Sequence, residues 1–422
     1  MASFLSTGNL VSSTGIDQQQ VSGYTIVAER LNFLRFVSHF RSVHRGQFFT
    51  TMRTTTVRKL LPDQWGYLCC VHTPDGGPCG LLSHLTSTVE IKADDYNIEE
   101  GEKILELLIN KFGCLNTFSC IPFRSGRTML PIVLDGVPRL SIESQRIHNV
   151  AHFLRNLKCS GHIIKDLEVA AISGDEQAYP GLFLHTQAAR MTRPVLNLSS
   201  RKVEYIGPME QTYLMIGITG TSDESRLYSH EEMSSMAQLS LIASLTPFSD
   251  MNQSPRNMYQ CQMGKQTMGT PIHNIHGRTD NKMYKLHNPQ CPLVRTNIHT
   301  ENKFDEYPNG TNAVVAVISY TGYDMEDSMI LNKSSFERGF GHASVYKSKI
   351  IDIGAEGIHA GKNEDKLKLG NPVTFKQNRS SGVATVPDAM YEGLDQDGLP
   401  RVGETVKQDD PLYCVIHNDD RK

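Results

Sequence analysis

The stretch that most constrains this chain runs from Thr311 to Arg338, TNAVVAVISYTGYDMEDSMILNKSSFER. Ala313 to Ile318 is a continuous, apolar and largely β-branched run, the pattern of a strand covered on both faces. The run breaks at Ser319-Tyr320-Thr321-Gly322, and Asp324, Glu326 and Asp327 follow within one turn. Met329-Ile330-Leu331 is apolar again, and Ser334 or Ser335 is placed to cap a short helix with Glu337 in its first turn. Carboxylates crowded at the end of a buried strand are costly unless a cation or basic groups neutralise them. Mg²⁺ takes oxygen ligands, often one or two carboxylates plus substrate phosphates. On spacing alone the commoner account is a solvated turn that happens to be acidic.

The chain is long enough, at 422 residues, for two or three domains with their own cores. With 39% hydrophobic and 21% charged residues, disorder is not the default. A net charge of −3 provides no global attraction to nucleic acid, so any such contact must come from local clusters. Nine scattered cysteines form no regular framework and suit a reducing compartment. Cys69, His72 and Cys79 match no standard paired-ligand spacing for zinc, so buried free thiols are expected there. There is no signal-peptide pattern and no apolar run long enough to span a bilayer, so no membrane contact is expected.

Local clusters do exist. Arg30, Arg35, Arg41, Arg45, Arg53, Arg58 and Lys59 occur in a window without acidic residues, beside Gly46, Phe48 and Phe49. A one-sign cluster near a flexible loop contacts phosphates by charge, although a basic surface face has the same composition. Ile26 to Arg41 has helical spacing through Leu31, Leu34 and Val37. Pro74-Asp75-Gly76-Gly77 is a tight turn by its chemistry. Thr246 to Gly269, TPFSDMNQSPRNMYQCQMGKQTMG, is dense in donors. Pro255 after Ser254 suits the first helical position, and Arg256, Tyr259 and Gln260 then share a face. A polar helix that caps neighbouring backbone is the equal alternative. Between these blocks, Ile98 to Phe112 and Ile142 to Leu157 carry helical periodicity, and Met129 to Leu134 and Gly181 to His185 are strand-like. Pro372 to Phe375 is also expected to be a short strand.

GYDMEDSMILNKSSFERG resembles the signature of the second-largest subunit of multisubunit RNA polymerases. HTPDGGPCGL, the Thr246–Gly269 block and YEGLDQDGLPRV agree, in family order. FRSVHRGQFFTTMRTTTVRKLLPDQWG is most similar to the RNA polymerase I class, while the polymerase II and archaeal counterparts are similar around the acidic loop. The resemblance implies an α+β, multi-domain fold of mixed helices and antiparallel sheet with an incomplete hybrid-binding β-barrel. It implies a fork region at 1–88, an external domain at 89–225, the first part of the hybrid-binding region at 226–345 and the start of the wall at 346–422. By position, Asp327 would help hold a nucleotide-borne Mg²⁺, with Glu326 beside it. Arg256 and Tyr259 would lie near the incoming triphosphate, Lys265 and Gln266 near the RNA 3′ end, and Arg45, Arg53 and Arg58 near fork nucleic acid. Asp327 and Arg256 are therefore expected to converge on one pocket.

The same resemblance implies the largest subunit, other polymerase subunits, DNA template, RNA–DNA hybrid and nucleoside triphosphates as partners, in the nucleus and nucleolus. It implies no zinc in this portion. The family's protrusion, lobe, later hybrid-binding segment and zinc-bearing clamp have no counterpart here, so a truncated central portion, inactive by itself, is expected. Two other classes compete. In one, the chain is a non-catalytic nucleic-acid or assembly module whose acidic loop is structural. In the other it is a stand-alone metal-dependent nuclease or phosphotransferase, which needs a second acidic cluster that the sequence lacks.

Overall fold

A computed structural model describes residues 1–10, 21–93, 98–116, 129–173, 179–218, 228–353, 367–376 and 388–417. Contacts divide the chain into two compact units, 1–278 with 282–346 and 279–281 with 347–422. The fold is mixed helix and sheet, as expected, and none of the described helices is long and apolar enough to cross a membrane.

In the first unit the helix Phe33–Phe40 begins where the Asn32 side chain accepts from the Arg35 backbone N–H at 2.7 Å. The expected start at Ile26 is corrected by that cap. Ile26 and Val27 are exposed and bury no face that would offset their β-branched propensity. Ser42–His44 then pairs antiparallel with Leu82–His84, with the Arg45–Leu81 segment between them.

The middle of the unit holds its largest core. Five strands lie in the order Leu115–Asn116, Val137–Glu143, Met129–Leu134, Gly181–His185, Glu168–Ile172. Alternate residues of Met129–Leu134 are buried, as a period of two requires. Leu108 of the Ile98–Phe112 helix and Ile147, Val150 and Leu154 of the Ile147–Ser160 helix pack with Ile132, Leu182 and Leu184, all fully buried. The second helix starts later than its periodicity suggested. Residues through Glu143 are held in the ladder opposite Met129–Leu134, so strand pairing overrides local helical spacing. The sheet is also mixed, because Ile132–Leu134 runs parallel to Leu182–Leu184.

A second sheet is built on Met191–Asn197, which pairs with Glu90–Ile91, Lys202–Ile206 and His230–Glu232; Ile216–Gly217 lies parallel to the last. Between the Ile147–Ser160 helix and the Lys202–Ile206 strand is a buried ionic knot. Lys158 Nζ lies 2.9 Å from Glu204 and 3.5 Å from Glu210, Arg155 Nε lies 3.1 Å from Glu210, and His230 Nε2 lies 3.0 Å from Glu204.

Two strand expectations fail. Ala313 to Ile318 is neither a strand nor buried: Val314, Val315, Val317 and Ile318 are exposed. Asn312 is tied to Gln290 and Cys291, but residues 313–319 make no backbone hydrogen bond to the described residues. A strand forms only against a partner edge, and the nearby strands Lys282–Leu286 and Ala343–Lys347 pair with each other. In the second unit, Pro372–Lys376 is a helix rather than a strand. The Asn371 carboxamide accepts from the Val373 N–H at 3.0 Å, and proline at the first helical position completes a start signal that outweighs the β-branched residues. Elsewhere in that unit Leu367–Leu369 pairs antiparallel with Val415–His417.

Candidate nucleotide and metal site

The donor-rich block folds as the helix Ser254–Gly264, with proline in its first turn. Asn257 is buried and donates to the Ser249 carbonyl at 2.8 Å, which fixes the approach to the helix. That anchoring leaves Arg256 exposed, with its guanidinium 5.5 Å from the Tyr259 ring centroid. The pair shares one face, as i, i+3 spacing demands. At the other end Lys265 is half-buried and Gln266 exposed. Burial holds the Lys265 ammonium below its usual range; Cys261 opposes that shift and the Arg35 cation adds to it.

The Thr73–Gly80 turn lies against this helix, since the Asp75 N–H donates to Gln262 Oε1 at 3.2 Å. Arg58 Nη1 donates to the carbonyls of Gly77 at 2.5 Å and Cys79 at 2.9 Å. Of the three fork arginines, Arg58 thus braces the turn, while Arg45 and Arg53 are exposed. Arg45 stands 5.8 Å from the Phe49 ring centroid. Gly80 adopts φ +76, and a Cβ there would collide with the Arg58 carbonyl. Gly80→Ala is therefore expected to destabilise the chain by about 1–3 kcal/mol, read as a lower urea midpoint. An unchanged midpoint would remove the close approach from this account.

Deeper in, His72 and His84 stack at 3.5 Å, and His72 Nδ1 meets Ser240 Oγ at 2.7 Å. Burial drives both imidazoles towards the neutral form, His84 down to about 3. Cys69 is buried beside them and its sulfur accepts from the His72 N–H at 3.3 Å. Among the described residues, no three His, Cys, Asp or Glu side chains are grouped to hold a metal ion.

The acidic loop is built differently. Glu326 and Asp327 have φ of 55° and 60°, two successive left-handed residues that are not glycine. Each such residue costs about 1–3 kcal/mol and persists only where its surroundings enforce it. Ser328 closes the loop, its hydroxyl donating to the Tyr323 carbonyl at 2.6 Å and its N–H to Met325 at 3.2 Å. Both carboxylates are exposed, and neither forms an ion pair with a described residue. Asp324 is half-buried with one carboxylate oxygen lacking a hydrogen-bond partner. The cap of the following helix, Lys333–Glu337, is Asn332 and not Ser334 or Ser335; Glu337 falls at its end, 3.7 Å from Lys333. Two adjacent free carboxylates suit a cation that brings its remaining oxygen ligands with a substrate, and do not suit an all-protein cage.

The structure thus joins Arg256 to Tyr259 and the turn to the helix, but it makes no bond between Glu326 or Asp327 and Arg256, Tyr259, Lys265 or Gln266. Sequence reasoning counted Gln262 among the phosphate donors, whereas its Oε1 accepts from the Asp75 N–H, and it missed the buried Asn32 and the half-buried Asn309, which hold the Lys265–Gln266 turn. Asn32 is legible as a cap, but a contact 232 residues away leaves no local signal.

Three family models match the chain: "RNA polymerase Rpb2, domain 6" over 242–422, "RNA polymerase Rpb2, domain 3" over 26–91, and "RNA polymerase I, Rpa2 specific domain" over 141–193. Similar curated proteins include the DNA-directed RNA polymerase I subunit RPA2 of Neurospora crassa, 46% identical over 98% of this chain and 32% of its own length. Subunit RPA135 of Saccharomyces cerevisiae is 45% identical over 99% of this chain and 34% of its own. Subunit RPA2 of Homo sapiens is 45% identical over 97% of this chain and 35% of its own. The chain spans about a third of the length of the curated relatives it matches.

Proposed function

The chain belongs to the family of second subunits of RNA polymerase I, and from that premise we propose that it contributes nucleotide-phosphate and metal contacts to template-directed phosphodiester formation. One observation carries the reading: Glu326 and Asp327 stand exposed and without ion pairs among the described residues, on a backbone strained at both positions. A strained loop that presents free carboxylates gains nothing in stability from them, and strain of this kind clusters at functional sites.

The reaction is attack of an RNA 3′-hydroxyl on the α-phosphate of a nucleoside triphosphate, with pyrophosphate leaving. Mg²⁺, when bound through Asp327 with Glu326 beside it, supplies neutralisation of the triphosphate charge. Arg256 binds phosphate oxygens and Tyr259 supports its guanidinium. Lys265 and Gln266 orient the RNA end. Arg45 and Arg53 hold fork nucleic acid by charge, with Arg58 bracing the turn between them and the helix. A first metal would sit on an aspartate cluster of the largest subunit, so the chain is inactive without it. The other polymerase subunits, DNA template and RNA–DNA hybrid are its partners, in the nucleus and nucleolus. The same reading assigns 1–88 to the fork, 89–225 to the external domain, 226–345 to the first part of a hybrid-binding barrel and 346–422 to the start of the wall.

The test is Arg256→Ala in a polymerase assembled from all its subunits. A charge-assisted hydrogen bond contributes about 1.5–3 kcal/mol, so the KM for nucleoside triphosphate should rise between about 10- and 100-fold with hybrid binding unchanged. Wild-type kinetics would withdraw Arg256 from the site.

A further inference from the structure

Lys265 and Gln266 lie in a four-residue turn, Gly264 to Thr267, that is gripped from both sides. Asn32 is fully buried, and its Nδ2 donates to the Gly264 carbonyl at 2.9 Å and the Thr267 carbonyl at 2.8 Å. Its Oδ1 accepts from the Arg35 N–H, so this carboxamide uses both amide hydrogens and its oxygen. On the other side, Asn309 Nδ2 donates to the same Gly264 carbonyl at 3.0 Å and to Thr267 Oγ1 at 2.7 Å. The two clamps are themselves tied together, because Phe33 stacks on Tyr307 with centroids 4.0 Å apart. The Asn309 side is seated closely: a Cβ on Gly269 would stand 2.6 Å from the Pro308 carbonyl oxygen and 2.7 Å from Asn309 Cα. The Thr270 N–H also donates to Pro308 at 3.0 Å.

We infer that Asn32 and Asn309 are positioning residues for nucleotide addition, fixing Lys265 and Gln266 through the turn that carries them. The inference rests on the proposed role of those two side chains at the RNA end. If these contacts served only to satisfy buried carbonyls, one grip on Gly264 would suffice. Instead both ends of the turn are held, which restrains the backbone that carries the two residues between them. A shift of about 1 Å in an orienting group costs about 100-fold in rate.

The experiment uses polymerase assembled from all its subunits, with Asn32→Ser in the second. Serine keeps an acceptor for the Arg35 N–H, and with it the helix cap, but cannot donate to both carbonyls. The rate of single-nucleotide addition should fall about 10- to 100-fold, with KM for the triphosphate near the wild-type value. In a Lys265→Ala/Gln266→Ala background the same change should cost almost nothing more, because the residues act as one unit. Equal slowing in both backgrounds would place Asn32 in some other role and overturn the inference. If Lys265→Ala/Gln266→Ala slows addition and Asn32→Ser does not, the inference alone falls. If the double alanine variant is as fast as wild type, the proposed role of the turn falls and takes the inference with it. Should Asn32→Ser not assemble, Asn309→Ala decides by the same cycle, since it releases the turn from the opposite side and leaves the Asn32 cap intact.

Discussion

Replacing Asp327 by asparagine in the assembled polymerase should slow nucleotide addition about 10²–10³-fold, the loss that follows removal of one preorganised charged contact to a reacting group. Asparagine is the informative choice. It tolerates the left-handed backbone that Asp327 adopts, so the loop keeps its shape while the charge goes. Raising Mg²⁺ should recover part of the rate, because the lost carboxylate would have held the metal and a weaker site fills by mass action. Asp327→Gly should lose as much activity yet stabilise the loop, since glycine adopts φ near 60° without strain. A variant that is more stable and less active is the mark of strain retained for function. Single-turnover extension across a Mg²⁺ titration makes the measurement. Wild-type rates for Asp327→Asn at every Mg²⁺ concentration would leave the acidic loop structural, which is the non-catalytic reading.

What could be read from the chain before its fold depended on how local each cause was. Ile98–Phe112, Met129–Leu134 and Gly181–His185 appear where their periodicity placed them, because each buries its face against a neighbour in the same unit. Pro372–Lys376 was misread because four residues carry too little period to outweigh a capping asparagine and a proline at the first helical position. Ala313–Ile318 was misread for the opposite reason. Its composition is that of a covered strand, but composition cannot supply the partner edge, and among the described residues none pairs with it. At the site, i, i+3 spacing was enough to bring Arg256 over Tyr259. The bracing role of Arg58 and the grip of Asn32 and Asn309 depend on contacts between separate segments, and no short window of sequence encodes them.

The largest stability effect is expected away from the site, at Lys158, within the segment that matches the polymerase I-specific model. Its ammonium is buried between Glu204 and Glu210, and it also donates to the carbonyls of Leu167 at 2.9 Å and Tyr205 at 3.0 Å. Lys158→Met keeps the volume but removes the buried cation between Glu204 and Glu210, which keep only His230, Asn197 and Arg155 as partners, and leaves two carbonyls without their donor; breaking a buried pair costs about 3–5 kcal/mol. The pH dependence identifies the cause. Burial pushes the Glu204 carboxyl up, but His230, Lys158 and Asn197 outweigh it and hold the group well below the usual carboxylate range. A depressed folded-state pKa contributes stability that is present above the unfolded value, here 4.5, and is lost as the pH falls below it. Without the Lys158 cation, burial gains weight and Glu204 takes up a proton more readily. The penalty of Lys158→Met should therefore be full at about pH 7 and shrink at about pH 3.5, below the unfolded value of 4.5. Adding Glu204→Gln should recover part of the loss at neutral pH and little at the lower one. Urea midpoints of the whole chain at the two pH values test the account. A penalty that does not change with pH would mean that lost packing around the lysine stem, and not a stranded charge, is what the substitution exposes.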